Sequence, residues 1–358
     1  MRNNGGARRL TAALVAIAGL MAACGDDDTA TSDQVSTTAS ASSSTGGTAG
    51  AEPEETSTSA TDGAPSVVVG EAPEVTELRV GALPSTHFAP LYYAVEQGFF
   101  EDEGLNVTLE PVQGGAVAVQ LLTSDELQFS VTNYFGFTQA VSNGAPLRLV
   151  AAGTSFSDGE AFIFTKPDSP VQTMADLDGK TLATNTLNSP GDILPKAIAA
   201  DQGLDITMQF VEVGFGETVA AVQTGAVDAA FTAEPFTSMA MAAGLRPILD
   251  ISTGATKNIP VAGYMASDEF VESNPNTVAA FARAIEAASA ELAGDEAITR
   301  EFLQSYTELP PQAAESLVLP IYETSLEPAE PQRVADIMAE LGLVDEPVDF
   351  AERMSGEG

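Results

Sequence analysis

Tryptophan is absent from the 358 residues, and cysteine and histidine occur once each. A single Cys excludes a disulfide framework and a cysteine-ligated zinc cluster. A single His excludes a metal site built on a His pair. Basic residues are scarce: 14 Lys and Arg stand against 51 Asp and Glu, a formal net charge of −37. Phosphate backbones are held by clustered Lys and Arg, so this balance excludes nucleic acid as a general partner. It also works against docking on anionic lipid through a basic patch. The nucleophile turn G-x-S-x-G and the phosphate loop G-x-x-x-x-G-K-[ST] are both missing. No catalytic residue, metal site or cofactor is assigned, and so many carboxylates make chance pairs certain.

Of what is present, the first residues stand apart. Arg2, Arg8 and Arg9 are the only charges before Asp26. The apolar run from Leu10 to Ala23 is too short for a membrane span of about 20 residues. It ends in Leu20-Met21-Ala22-Ala23-Cys24-Gly25. This is similar to a bacterial lipoprotein signal, in which small residues precede a Cys that is lipidated and becomes the mature N-terminus. Met21 stands where such signals usually carry Leu. An ordinary secretory signal with a chance Cys is the other reading, and Arg8-Arg9 leaves twin-arginine export open. Residues 1–23 are expected to be a signal peptide, and 24–75 a lipidated Cys24 followed by a disordered tether. Between Thr29 and Thr61, 17 residues are Ser or Thr and the apolar ones are almost all Ala. Such a stretch buries too little surface to offset ordering entropy. The sequence leaves open whether it is glycosylated. After residue 75 the net charge is −30, which favours solubility.

From Thr76 onward the pattern is βαβαβαβ. Strands are predicted at Glu77–Leu83, Val107–Leu109, Leu127–Val131 and Leu147–Val150, with helices between them. It then repeats. Ala200-Asp201-Gln202-Gly203 echoes Ala94-Val95-Glu96-Gln97-Gly98, Gly214-Phe215-Gly216 echoes Gly114-Gly115, and Val227–Thr232 echoes Leu127–Thr132. Two similar α/β lobes follow, each a mainly parallel sheet with helices on both faces. A helical tail after Pro260 is expected to return to the first lobe. The expected boundaries are 76–165 plus 262–358 for lobe 1 and 166–261 for lobe 2, with crossings near Lys166-Pro167 and Asn258–Pro260. Two connectors of this kind suit a hinge.

In open α/β sheets, ligands sit beyond the carboxyl ends of the strands. The loops selected by that rule offer hydroxyls, amides, glycines, aromatics and helix-start N–H groups, a set suited to a small polar molecule. The candidate contacts are His87, Phe88, Gly114, Gly115, Thr132, Asn133, Tyr134, Asn185, Leu187, Asn188, Ser189, Phe215 and Glu234. Plain structural roles stand beside these: His87, Thr132 and Asn133 as helix caps, and Gly114-Gly115 as a simple turn. Glu234 lies between a buried-type strand and Pro235, where an unpartnered carboxylate is costly. It therefore caps the following helix or accepts from a ligand donor.

The arrangement resembles the periplasmic solute-binding proteins of ABC importers, in the nitrate/taurine/alkanesulfonate and thiamine-precursor branch. The resemblance rests on His87-Phe88-Ala89-Pro90-Leu91-Tyr92-Tyr93-Ala94 through Gly98-Phe99-Phe100, then Glu103-Gly104-Leu105-Asn106-Val107. Asp176-Leu177-Asp178-Gly179-Lys180-Thr181, Thr224-Gly225-Ala226-Val227-Asp228-Ala229 and Glu234-Pro235 extend it. It implies a two-lobed type II fold that closes on a solute and delivers it to a permease and its ATPase. It further implies an exported, lipid-anchored monomer without enzymatic activity. By resemblance the His87 loop, the Gly114 turn, Thr132-Asn133, Asn185–Ser189 and Glu234 are ligand contacts. One departure is Thr123-Ser124-Asp125-Glu126, where the family usually has a glycine. A solute-sensing lipoprotein that docks on a receptor would share every motif. A related enzyme that makes the thiamine pyrimidine needs a lysine near its histidine and a cysteine-rich iron motif. Here the first lysine is Lys166 and the one cysteine is Cys24.

The cleft loops hold no Lys or Arg; Lys257, near the second crossing, is the one basic candidate. Glu234 suits a solute with N–H donors, such as an aminopyrimidine stacked on Tyr134, Phe88 or Phe215. A nitrogenous neutral or cationic solute is therefore favoured over a sulfonate, taurine or nitrate anion, although backbone N–H groups alone can hold an anion.

Overall fold

The computed structural model describes residues 71–112, 115–307 and 316–355, the side chains of 115 and 116 excepted. The signal peptide, Cys24 and the tether before residue 71 lie outside the described residues, as does Gly114.

The chain opens with β1 (Glu77–Ala82), a 3-10 turn at Thr86–Phe88, α1 (Ala89–Gln97), α2 (Phe99–Asp102) and β2 (Asn106–Pro111). Then come α3 (Gly115–Thr123), β3 (Phe129–Asn133), α4 (Tyr134–Ser142) and β4 (Leu147–Ser155). A second run comprises β5 (Ala161–Thr165), β6 (Thr181–Thr184), α5 (Pro190–Asp201), β7 (Gln209–Glu212), α6 (Phe215–Thr224), β8 (Ala229–Ala233), α7 (Phe236–Ala242) and β9 (Arg246–Asp250). The remainder is β10 (Pro260–Ser267), α8 (Asp268–Ser273), α9 (Pro275–Gly294), α10 (Glu296–Tyr306), β11 (Ile321–Tyr322) and α11 (Ala329–Glu340). No helix among the described residues is long and apolar enough to cross a membrane.

The strands form two sheets, β11-β4-β10-β3-β1-β2 and β7-β6-β8-β5-β9. From one edge the orders β2-β1-β3-β10-β4 and β7-β6-β8-β5-β9 are equivalent. Each has three parallel strands, one antiparallel strand, and a last strand aligned with the first three. The antiparallel member, β5 or β10, is in each case the strand by which the chain has just arrived from the other lobe. The crossings leave from the carboxyl ends of β4 and β9, so the arriving strand starts at that end and must run against its neighbours. The sheets are thus mixed. For the same reason β5 belongs to lobe 2, so the first crossing is residues 156–160, ahead of the expected Lys166-Pro167. The second crossing, 251–259, includes the expected Asn258.

Lobe 1 is organised around Phe281 of α9. Its ring stacks on Phe129 at 4.0 Å and on Phe100 at 5.3 Å, and meets Tyr264 edge-on at 5.9 Å. Phe281 lies on a stripe of Val278, Phe281, Ile285, Ala288 and Leu292, all buried, at the spacing of a core-facing helix. Burying one such ring contributes about 1.5–3 kcal/mol. The tail returns to this lobe: β11 pairs with β4, and Leu149 exchanges backbone hydrogen bonds with Arg353 and Ser355 at 2.8 Å. The residues before β1 are docked as well. The Glu74 carboxylate accepts from the N–H groups of Asn276 and Thr277 at 3.0 and 2.8 Å, capping α9. At the turn Ser124–Glu126, Asp125 takes the left-handed conformation (φ 58) that Gly225 takes (φ 77) at the corresponding turn of lobe 2. Asp tolerates that region better than most residues.

Candidate functional site

The loop after β1, the end of the first crossing and the residue after β8 come together between the lobes. The loop after β1 brings His87 there. Its N-terminal residue Ser85 caps the 3-10 turn by accepting from His87 N–H at 3.3 Å. The loop is held from the tail: Tyr306 donates to the Ser85 carbonyl at 2.5 Å and Tyr322 to the Thr86 carbonyl at 3.1 Å. His87 Nδ1 stands 2.7 Å from Thr154 Oγ1 on β4, and its ring meets Phe156 edge-on at 5.3 Å. Its Nε2 lies 2.9 Å from Glu160 Oε1 in the first crossing. That approach lacks hydrogen-bond alignment, so both buried atoms remain without an aligned partner.

Glu160 was not among the candidates, yet it is fully buried. The pairing of β5 with β8 explains its place. Ala161 sits opposite Ala233 in an antiparallel register, so one step further Glu160 faces Glu234. Glu160 Oε2 accepts from Ser157 N–H at 3.0 Å. Glu234 accepts from Ser238 N–H at 3.1 Å and Ser238 Oγ at 2.8 Å, and from Val318 N–H at 3.5 Å. Glu234 thus caps α7, one of its two expected roles. Among the described residues, no Lys or Arg forms an ion pair with either carboxylate; Lys257 pairs with Asp158 at 3.1 Å.

Burial is the main cause that pushes the Glu234 carboxyl above its ordinary value of 4.5. The bonds from Ser238 and Val318 oppose the rise, and the charge of Glu160 adds to it. A raised folded value means the group's contribution to stability is complete below pH 4.5 and is lost as pH climbs through the raised value. Glu234→Gln is expected to flatten that part of the stability–pH curve, as read by urea midpoints between pH 4 and 8 (an interval of about 4 units). An unchanged slope would show that Glu234 titrates normally.

In lobe 2, Phe215 opens α6 and stacks on Phe236 at 5.0 Å, with Phe231 of β8 behind it at 5.8 Å. Both rings of the stack are half-buried. Phe236 was missed, although it follows the end of β8 much as Phe215 follows the end of β7. In the 185–189 loop, Asn185 is half-buried, Leu187 is 44% exposed and Asn188 is exposed with φ 56. Leu187 N–H donates to Glu212 at 2.9 Å, and Ser189 is buried, its N–H donating to Asp192 at 2.8 Å.

Other candidates have structural places. Asn133 accepts from Gly136 N–H at 2.7 Å as the cap of α4, and Thr132 is buried with its hydroxyl on the Asn133 carbonyl. Phe88 and Tyr134, expected as stacking surfaces, are buried against lobe 1 neighbours in this structure. Phe88 packs on Tyr264 at 6.4 Å, and Tyr134, 3% exposed, packs on Phe350 at 6.3 Å. Gly115 is the first residue of α3.

Two equivalent mixed sheets with facing strand ends, joined by two crossings at those ends, define the periplasmic-binding-protein fold. The model of the family described as NMT1/THI5 like matches residues 85–296, and the chain belongs to this family. No curated protein sequence matches it. Among solved structures, the aliphatic sulphonate binding protein SsuA of Escherichia coli superposes with TM-score 0.64 at 21% identity, covering 78% of this chain and 92% of that one. The ligand-binding component of an ABC-type import system from Staphylococcus aureus gives 0.65 at 14% identity, covering 79% and 100%. The nitrate-binding protein NrtA of Synechocystis gives 0.59 at 16% identity, covering 75% and 82%.

Proposed function

We propose that the protein is an extracytoplasmic solute-binding lipoprotein, not an enzyme. It captures a small organic solute between its lobes by hinge closure and presents the closed form to an ABC importer permease and its ATPase. The observation that supports it is a pair of contacts between the lobes, His87 of lobe 1 against Glu160 and Val318 of the returning tail against Glu234 of lobe 2; the Phe215–Phe236 stack of lobe 2 is the flat surface the reading assigns to the solute. Its structural relatives are named as solute receptors, two of them for anions. The solute of this chain is read instead as nitrogenous, such as a thiamine-precursor pyrimidine. A ring with N–H donors matches an acceptor at Glu234 and a flat aromatic pair. The anchor is Cys24, lipidated after removal of residues 1–23, and the intact mass of the exported protein reports it.

Thermal-shift and calorimetric titration with taurine, alkanesulfonates, nitrate, a hydroxymethylpyrimidine and riboflavin tests the reading. The pyrimidine is expected to bind, and at about 100 times its Kd to stabilise the fold by about 2.7 kcal/mol. Tight binding of a sulfonate with no response to the pyrimidine would end the preference for a nitrogenous solute.

A further inference from the structure

We propose that Glu160 is a specificity-determining residue which, with Glu234, forms a two-carboxylate floor that accepts a cationic N–H donor and turns away anions. This rests on the solute-binding reading above and adds to it the sign of the solute's charge. The contacts that cover the two acids come from the opposite lobe. Glu160 and Glu234 travel with the second sheet, through the β5–β8 pairing. His87, tied to Thr154 of β4, and Val318, just ahead of β11, travel with the first. Glu160 is the last residue of the first crossing and Glu234 lies one step beyond β8, so opening about the crossings would loosen the His87 contact of Glu160 and the Val318 contact of Glu234 and give a solute access to the two acids.

As it stands in the structure, the first of these contacts is poor. Glu160 is fully buried, and its Oε1 has no aligned donor although His87 Nε2 is 2.9 Å away. A buried carboxylate oxygen without a donor is costly. A solute N–H entering between the lobes supplies that donor. Glu234 keeps its Ser238 bonds and offers its remaining lone pairs from across the strand pair. Two carboxylates buried in one site, with no Lys or Arg ion-paired to either among the described residues and a single imidazole, His87, 2.9 Å from Glu160 as the basic neighbour, attract a cation and repel an anion.

The test uses benzamidinium and benzenesulfonate, which share a ring and differ in charge, titrated calorimetrically into the purified protein. The unmodified chain is expected to bind benzamidinium about 100-fold more tightly or better, and Glu160→Gln to shrink that ratio about tenfold. Glu160→Asp, which keeps the charge, is expected to keep the preference. A general loss of fold weakens both probes together, so the ratio isolates the charge, and thermal melts without probe confirm that each variant is folded. An unchanged ratio in Glu160→Gln, or tighter binding of benzenesulfonate by the unmodified chain, overturns the role of Glu160 and leaves solute binding standing. If neither probe binds at about 10 mM and no solute of the panel above binds, both readings fall.

Discussion

Gly153→Ala is expected to cost about 3 kcal/mol of folding free energy, read as a lower urea midpoint at unchanged slope. Gly153 lies in β4 against β10, where the register shifts between Ala262 and Gly263. A Cβ at Gly153 would lie 2.7 Å from the Ala262 carbonyl carbon and 3.0 Å from Gly263 Cα, and closer still to the Ala262 oxygen. All three are backbone atoms in the middle of a sheet, so no side chain can swing away. The strands themselves would have to part, with loss of ladder hydrogen bonds on both sides. These two strands flank the hinge: β4 leads into the first crossing, β10 receives the second, and β4 carries the Thr154 that holds His87. Solute affinity is expected to fall only as far as parting the strands moves Thr154 and the His87 ring it holds. Gly216→Ala is the control. It lies in α6 with open space around its missing Cβ, and alanine there is expected to be neutral or stabilising by up to about 1 kcal/mol. Equal midpoints for Gly153→Ala and the unmodified chain would mean that β4 and β10 separate freely.

The two-lobed architecture was legible because it is written locally. Alternating apolar residues, helical stripes and turn glycines recur in both halves in the same order, and the equivalent sheets follow that order. What was not legible depends on pairing between distant segments. Ala161–Thr165 reads as a tail of the first lobe because Lys166-Pro167 looks like a break. Only its hydrogen bonding to β8 and β9 assigns it to the second. Glu160 follows from the same register, and its own stretch, Asp158-Gly159-Glu160, was not singled out in the sequence. Glu234 was visible because a carboxylate at the end of an apolar strand is costly wherever it goes, and the same reasoning applied to the start of β5 would have raised Glu160. Tyr134 and Phe88 were read as stacking surfaces because of their loops. Their burial is set by long-range neighbours, Phe350 and Tyr264. The His87 loop was found from β1, but Tyr306 and Tyr322, which hold its carbonyls from more than 200 residues away, carry no local signal.

Gly191→Ala should damage the cleft through the core of lobe 2, costing about 2–3 kcal/mol and lowering solute affinity at least about tenfold. Gly191 is the second residue of α5, where the helix starts against the sheet. A Cβ there would lie 2.8 Å from Phe231 Cγ, and closer to Phe231 Cδ1 and to Thr184 Oγ1. Neither neighbour can yield without moving the cleft. Thr184 Oγ1 donates to the Thr186 carbonyl at 3.1 Å, which also accepts from Ser189 Oγ at 2.6 Å. Displacing that hydroxyl removes one of the two bonds that hold the Thr186 carbonyl of the 185–189 loop. Phe231 supports Phe215, which stacks on Phe236, so a displaced Phe231 ring carries the aromatic platform with it. The two effects separate by measurement. Loss of stability alone weakens binding only once the unfolded population becomes significant, which a loss of 2–3 kcal/mol does not produce in a domain stable by about 5–15 kcal/mol. A tenfold weaker solute affinity at a temperature where the variant is still fully folded therefore reports the displaced loop and platform. Unchanged affinity under those conditions would place the solute away from both the 185–189 loop and the Phe215–Phe236 stack.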